Sequence, residues 1–159
     1  MNNEGQVDKV WALMEKIGFC MLSTLDGDAI RARPMAARVD RAENAIYFLT
    51  DINSHKDDEI AKRPNVGLAF ADTDGQKYVS VTGRASVSND RAKIKDLWSP
   101  AAKAWWESAD DPAIRVLKVE PDDAQYWDSP GTVMSYVKMF AAAVSDARPA
   151  IGENHKVAL

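Results

Sequence analysis

The hydrophobic positions change their period several times along the chain, and each change predicts a different element. The first helix is predicted from apolar residues at helical spacing, namely Val7, Val10, Trp11, Met14 and Ile17. Gly18 is placed to end this helix. A run of β-forming residues follows at 19–25, and Asp26-Gly27-Asp28 predicts a hairpin turn. With a returning strand at 29–39 and a third strand at 45–50, the pattern indicates an antiparallel meander.

The second half of the pattern alternates in the same way. Ser54 is expected to open a short helix that stops before Pro64, with Ser54 and Asp57 forming a start similar to a capping box. Gly83, inside a long strand, indicates a bulge or a close backbone approach. The other predicted elements are strands at 66–72, 77–87, 114–121 and 123–128, a helix at 89–107 broken at Ser99-Pro100, and a last helix at 132–144.

The fold class that follows is mainly β with peripheral helices. Six or seven antiparallel strands with turn signals between them predict a barrel or a sandwich. No repeat or linker divides the sequence, so residues 1–145 are expected to form a single domain. Residues 146–159 show no clear period and are predicted to be a C-terminal tail.

Composition narrows the classes of function. The 159 residues, 46% of them hydrophobic, suffice for one core. A net charge of −4 argues against a nucleic-acid partner. No run approaches the roughly 18 apolar residues of a membrane span, and the polar start is not expected to be a secretory signal. The single cysteine, Cys20, lies in an apolar strand, which predicts a core thiol in a reducing cytoplasm. His55 and His155 are far apart, so no metal site is expected.

Candidate chemistry begins on the second strand. Arg31 and Arg33 are two residues apart and share a face, while Arg38 falls on the opposite face of a regular strand. A guanidinium group suits a phosphate because its fork matches two oxygens at once. The alternative for Arg33 is an ordinary solvated arginine on a polar face.

A second candidate anion site lies at the start of the short helix. Ser54, His55 and Lys56 stand where free backbone N–H groups and the positive dipole end attract anions. Considered alone, this would be an ordinary capped helix with a surface lysine. Because Arg33 and Lys56 lie on neighbouring elements, the pair favours a phosphate ligand.

The residues Arg33-Pro34-Met35, followed by FLTDINSHK at 48–56, resemble the pyridoxamine 5′-phosphate oxidase-like split-barrel flavoproteins. The resemblance covers most of the chain, and the similar branch is the general stress protein 26 group. It implies a split β-barrel and a homodimer that holds FMN at the subunit interface.

The same resemblance implies a set of cofactor contacts in two motifs. They are Arg33, Pro34, Met35, Ala36 and Arg38 in RPMAAR, and Leu49, Thr50, Ser54, His55 and Lys56 in FLTDINSHK. Arg33 would take the phosphate, and the backbone of Pro34 to Ala36 would lie along the isoalloxazine ring. His55 stands where the oxidases carry arginine, which weakens phosphate binding unless the imidazole is protonated.

Aromatic residues complete the implied site. Tyr78 falls where the oxidases place a glutamine near the flavin, and Trp127 would meet the flavin from the second subunit. The alternative for Trp127 is interface packing. The oxidases bind the substrate phosphate with an Arg-x-His motif after this tryptophan, but residues 129–140 contain neither arginine nor histidine. This argues against pyridoxamine 5′-phosphate as the substrate.

The sequence therefore predicts an FMN-binding, general-stress-type flavoprotein. Its chemistry would be that of an oxidoreductase with a nicotinamide or small-molecule electron donor, although no catalytic residue is identified. The alternatives are a non-enzymatic flavin-binding or stress-response module, a split barrel that binds haem or a deazaflavin, and a barrel without a ligand. Trp98, Trp105 and Trp106 are expected to serve in helix packing or as a pocket lid.

Overall fold

The structure, a computed structural model, describes residues 3–145 and 152–159. Its helices are α1 (Asn3–Ile17), α2 (His55–Lys62), α3 (Arg91–Leu97) and α4 (Thr132–Ser145), with a 3₁₀ turn at Pro100–Ala104. Its strands are β1 (Phe19–Asp26), β2 (Ala29–Ala36), β3 (Arg38–Asp40), β4 (Ala45–Asp51), β5 (Asn65–Asp72), β6 (Lys77–Ser88), β7 (Ile114–Asp128) and β8 (Glu153–Ala158). The described part of the chain contains no candidate membrane-spanning helix.

Local signals set the first two turns as the sequence predicts. Helix α1 ends where Gly18, at φ +72°, donates its N–H to the carbonyl of Met14 at 2.9 Å. The β1–β2 hairpin turns through Gly27 and Asp28, with Asp26 paired to Ala29. Gly27 has φ +61°, which places a glycine where a two-residue hairpin of type II′ needs one.

The expected meander is wrong at one residue, Ala37. The returning strand breaks there, so that β2 pairs with β1 while β3 pairs with β4. The sheet order is β2-β1-β5-β6-β7-β4-β3, which puts β2 and β3 at opposite ends of the path. Because Ala37 alone connects these two ends, the sheet must curl until the end of β2 lies beside the start of β3. The result is the split β-barrel expected from the sequence, with eight strands among the described residues instead of six or seven.

One long strand replaces the two predicted at 114–121 and 123–128. Strand β7 runs unbroken, and its register against β6 shifts by one residue between Thr82 and Gly83, leaving Asp122 as the extra residue of a bulge. The bulge predicted at Gly83 is confirmed. A Cβ atom there would lie 2.6 Å from the carbonyl oxygen of Glu120. Glycine is therefore required because the two backbones approach each other closely.

The eighth strand lies in the segment for which the sequence predicts no element. Strand β8 pairs antiparallel with the end of β7, from Asp123 opposite Ala158 to Asp128 opposite Glu153. Lys9 of α1 donates to Glu153 at 2.9 Å and contacts Asp128 at 2.6 Å. The first helix and the last strand are thus held together at one end of the barrel.

Among the residues that the structure describes, two apolar clusters form the core. The larger fills the barrel, where Leu22, Phe48, Phe70 and Tyr126 are almost fully buried and Ile60 of α2 joins them. Cys20 is buried in this cluster, as predicted. The smaller cluster lies on the outside of β4 beneath α3, where Trp98 and Trp106 pack against it. Their predicted packing role is confirmed, whereas Trp105 is 80% exposed.

Replacing Gly83 by alanine is expected to destabilise the barrel by about 1–3 kcal/mol, because the new methyl group overpacks the β6–β7 bulge. The matched control is Ser86→Thr on the same strand, which adds a methyl group at an exposed position. Thermal unfolding measures both variants. Gly83→Ala should lower Tm by several degrees and Ser86→Thr should not; equal melting temperatures would contradict the close approach.

Candidate functional site

Arg33 lies on the interior face of the barrel wall. It is paired with Leu22, which is fully buried, and paired residues of antiparallel strands share a face. Its Nη1 donates to Thr24 Oγ1 at 2.6 Å and its Nη2 donates to Glu59 Oε2 at 2.9 Å. Thr24 also donates to Glu59. The guanidinium group is therefore held in one orientation between β1, β2 and α2.

The start of α2 supplies the second cation. The side chain of Ser54 does not cap the helix, so the predicted pair of Ser54 with Asp57 is wrong. Instead, Lys56 Nζ donates to Ser54 Oγ at 2.6 Å, and Asp57 accepts a hydrogen bond from Thr50 Oγ1 at 3.2 Å. The Ser54 hydroxyl thus accepts a hydrogen bond from the lysine side chain and makes no capping hydrogen bond to the helix backbone. We call the group Arg33, Thr50, Ser54, Lys56 and Glu59 the α2 corner.

Burial and neighbouring charges shift the pKa values of two ionisable groups in and beside this corner. Burial lowers the pKa of Lys56, and the positive charge of Arg33 lowers it further, although Asp57, Asp51 and Glu59 act in the opposite direction. Burial also raises the pKa of Asp57 despite the nearby Lys56 ammonium group. Two cations therefore interact in a partly buried site in which carboxylates supply the counter-charge.

The other residues of the second motif do not all join the corner. Thr50 is buried on the interior face of β4, whereas Leu49 faces outward and packs against the cluster beneath α3. His55 is exposed. It lines a surface groove together with Asp58 and Lys62. Of the residues assigned to this motif, Thr50, Ser54 and Lys56 come together with Arg33.

The residues of the first motif lie on two opposite faces of the barrel wall, because side chains alternate along a strand. Met35 points inward and packs against the barrel core. Pro34 and Ala36 are exposed on the outer face. Arg38, beyond the break at Ala37, is paired with Tyr47 and is exposed on the outer face. Arg38 and Arg33 therefore lie on opposite faces, although the regular strand that this prediction assumed is broken at Ala37.

Tyr78 and Trp127 are direct partners across β6 and β7. Their neighbours Val79 and Tyr126 are buried inside the barrel, so Tyr78 and Trp127 must face outward. Tyr78 is 36% exposed. Within one chain, these two aromatic side chains lie on the opposite side of the barrel wall from Arg33.

The sequence pattern does not predict the roles of two carboxylates, one in the corner and one beside it. Glu59 is hidden in an acidic run that suggests a helix start, although its spacing of three from Lys56 places both on one side of α2. Asp51 accepts hydrogen bonds from the backbone N–H of Asn53 at 2.9 Å and from Trp106 Nε1 at 3.1 Å. These bonds and the Lys56 charge lower the pKa of Asp51. Trp106 thereby connects the segment after the 3₁₀ turn to the end of β4, four residues before α2 begins.

The donor set of the corner fits a phosphate monoester. Thr24 and Glu59 occupy two of the five N–H donors of Arg33, and the other three have no partner among the described residues. Lys56 is a second cation within electrostatic range. An anion bound between Arg33 and Lys56 would relieve their repulsion, whereas Glu59 would oppose a dianion.

Comparison with known proteins gives a consistent family. Residues 5–150 match the family model described as "Pyridoxamine 5'-phosphate oxidase like". General stress protein 26 of Bacillus subtilis is 37% identical over 82 residues, which are 49% of this chain and 58% of that protein. The match therefore spans less than two thirds of that relative.

Two solved structures illustrate the similarity of the fold. A structure described as a general stress protein 26, from Jannaschia sp. CCS1, has a TM-score of 0.82 at 24% identity, covering 99% of this chain and 100% of that chain. A general stress FMN/FAD binding protein from Xanthomonas citri has a TM-score of 0.69 at 27% identity, covering 79% of this chain and 89% of that one.

Lys56→Met is expected to raise the Tm of the ligand-free protein at neutral pH. The lowered pKa of Lys56 means that the unfolded chain binds this proton more tightly than the folded one, so the charge costs stability below its folded pKa. As pH rises towards 10.5, wild-type Lys56 loses its proton and the gain should shrink. Thermal unfolding of both proteins between pH 7 and 10.5 measures this gain in Tm. The control is the exposed Lys62→Met, which should change Tm little; a lower Tm for Lys56→Met at pH 7 would contradict the argument.

Proposed function

Because this chain belongs to the pyridoxamine 5′-phosphate oxidase-like family, we propose that it is a flavoprotein that binds FMN between the two subunits of a homodimer. The observation that carries the proposal is that Arg33, fixed by Glu59 and Thr24, and Lys56, held by Ser54, interact electrostatically in one partly buried corner. Anion binding is the simplest use for two cations whose charges interact in this way.

The α2 corner would hold the FMN phosphate. Arg33, oriented by Glu59 and Thr24, would bind it through its remaining N–H groups, and Lys56 would add a second charge-assisted contact. Ser54 Oγ holds the lysine side chain in position. When bound, FMN would supply electron transfer, while the protein orients the ring and limits the access of water.

A second copy of the chain would complete the ring site. Tyr78 and Trp127 face away from the α2 corner of their own chain, so they can approach a flavin there only from another subunit. The same outer face exposes Phe19 (64%) and Met21 (40%), apolar side chains that a partner would cover. An isologous two-fold dimer would therefore form two equivalent sites.

The haem alternative finds little support in the histidines. The ring of His155 packs against Tyr126, with centroids 5.5 Å apart, and its Nδ1 lies 3.3 Å from Gln6 Nε2. His155 is therefore committed to packing beside α1, and His55 is exposed at the helix start.

The cytoplasmic location expected from the sequence stays a prediction.

Arg33→Ala is expected to weaken FMN binding roughly 10- to 150-fold, the effect of losing one charge-assisted phosphate contact of about 1.5–3 kcal/mol. Quenching of flavin fluorescence measures the affinity. Riboflavin, which lacks the phosphate, should bind wild type and variant alike. Arg31→Ala is the matched control, because Arg31 is exposed and contacts Asp26. Equal FMN affinity of wild type, Arg33→Ala and Lys56→Ala would remove the phosphate assignment.

The absorption spectrum and an NAD(P)H oxidation assay test the chemistry. We expect the purified protein with FMN to show a bound flavin spectrum and to oxidise NAD(P)H with an artificial acceptor faster than free FMN does. Turnover equal to that of free FMN would identify a non-enzymatic flavin-binding module. A deazaflavin or haem spectrum in the protein as purified would replace FMN in the proposal.

A further inference from the structure

Helix α4 carries an apolar stripe that its own chain leaves uncovered. Val137, Phe140 and Val144 follow one another at spacings of three and four, so they share one side of the helix. They are 56%, 75% and 75% exposed. Among the described side chains at 137–144, only Ala142 is buried, and it lies on the other side. A helix of this length is only marginally stable in water unless one of its faces is packed, so we expect the stripe to pack against another surface.

The outer sheet face is a second uncovered apolar surface in the same chain. Phe19, Met21 and Ile30 are exposed there. Beside them a shallow groove of about 470 Å³ crosses the sheet. Its floor includes Ser23, Gly67 and Thr82, which are small residues in register on β1, β5 and β6. A sheet face with small residues in its floor can accept the larger side chains of a helix.

We infer that α4 crosses to a second copy of this chain and packs its stripe on that copy's outer sheet face. The inference rests on the proposed dimer. Helix α4 follows Trp127 after a link of only a few residues, so it starts at the border of the face on which the partner would lie. A two-fold axis then places each helix on the other subunit.

The dimensions agree with this arrangement. The stripe from Val137 to Val144 is about 10 Å long at 1.5 Å per residue, and it would span about two strand spacings of 4.8 Å each. The chain exposes 9419 Å². A compact monomer of 17.5 kDa is expected to expose about 7,900 Å². The chain thus exposes more surface than a compact monomer of its mass, as expected for a subunit that buries area against a partner.

Cysteine cross-linking tests the contact directly. Cys20 is the only cysteine, and burial raises the pKa of its thiol to about 12, so an introduced cysteine would be the reactive one. Phe140→Cys chains are co-expressed with differently tagged Met21→Cys or Ile30→Cys chains and treated with a short bis-maleimide. Glu15→Cys, exposed on α1, is the matched control partner. We expect cross-linked dimers with position 21 or 30 and none with position 15.

The other outcomes separate this inference from the proposed function. If light scattering shows dimers but position 140 does not cross-link to position 21 or 30, the placement of α4 is wrong and the proposed dimer is retained. The same conclusion follows if position 140 cross-links only to position 140 of the other chain. A monomer would overturn both. FMN titration of the same samples reports on the cofactor separately.

A second measurement does not depend on cross-linking. Replacing Phe140 and Val144 together by serine should raise the dimer dissociation constant at least tenfold. Ala143→Ser, exposed on α4 but outside the stripe, should leave it unchanged. Equal dissociation constants for the two variants would count against the inference.

Discussion

Ala37 connects two strands that lie at opposite ends of the hydrogen-bonded path, and the rest of the structure is built around that connection. A single residue spans less than 4 Å, so the sheet cannot stay open while its ends remain covalently joined. Ala37 donates its N–H to the carbonyl of Gly18 at 2.8 Å, which links the crossing to the turn after α1. Curling of the sheet gives the barrel its interior, brings Arg33 opposite Glu59 of α2 and sends Tyr78 to the outside.

The α2 corner, proposed above as an anion site, has its charged side chains already positioned by contacts within the chain. Arg33 is oriented by Glu59 and Thr24, yet part of its donor capacity remains unused. Lys56 is retained in the corner although burial and Arg33 both disfavour its charge. Such a residue costs stability in the free protein, and binding of an anionic ligand would recover that cost. Glu59 limits the net positive charge of the corner and, together with Thr24, fixes the orientation of the arginine side chain.

Features encoded within a few residues could be predicted from the sequence, and features that depend on distant pairing could not. Gly18, Gly27 and Gly83 each mark a conformation that favours or requires glycine, so the helix end, the hairpin and the bulge were all predicted. Nothing in the alternation around Ala37 indicates that the hydrogen-bond partner changes from β1 to β4. Strand β8 is stabilised by pairing with β7, which no local pattern reveals. For the site, Arg33 and Lys56 were found by charge, whereas Glu59 was missed because its partner lies on another element.

The burial of Cys20 has a consequence for how such a protein would meet an oxidising environment. The thiol lies inside the barrel and stays protonated at neutral pH, so it reacts poorly with peroxides and cannot exchange disulfides. With no other cysteine in the chain, sulfenylation and glutathionylation have no accessible target. Exposed thioethers such as Met21 and Met139 are then the sulfur atoms that peroxide would reach first, and their oxidation would add polarity to surfaces that are otherwise apolar.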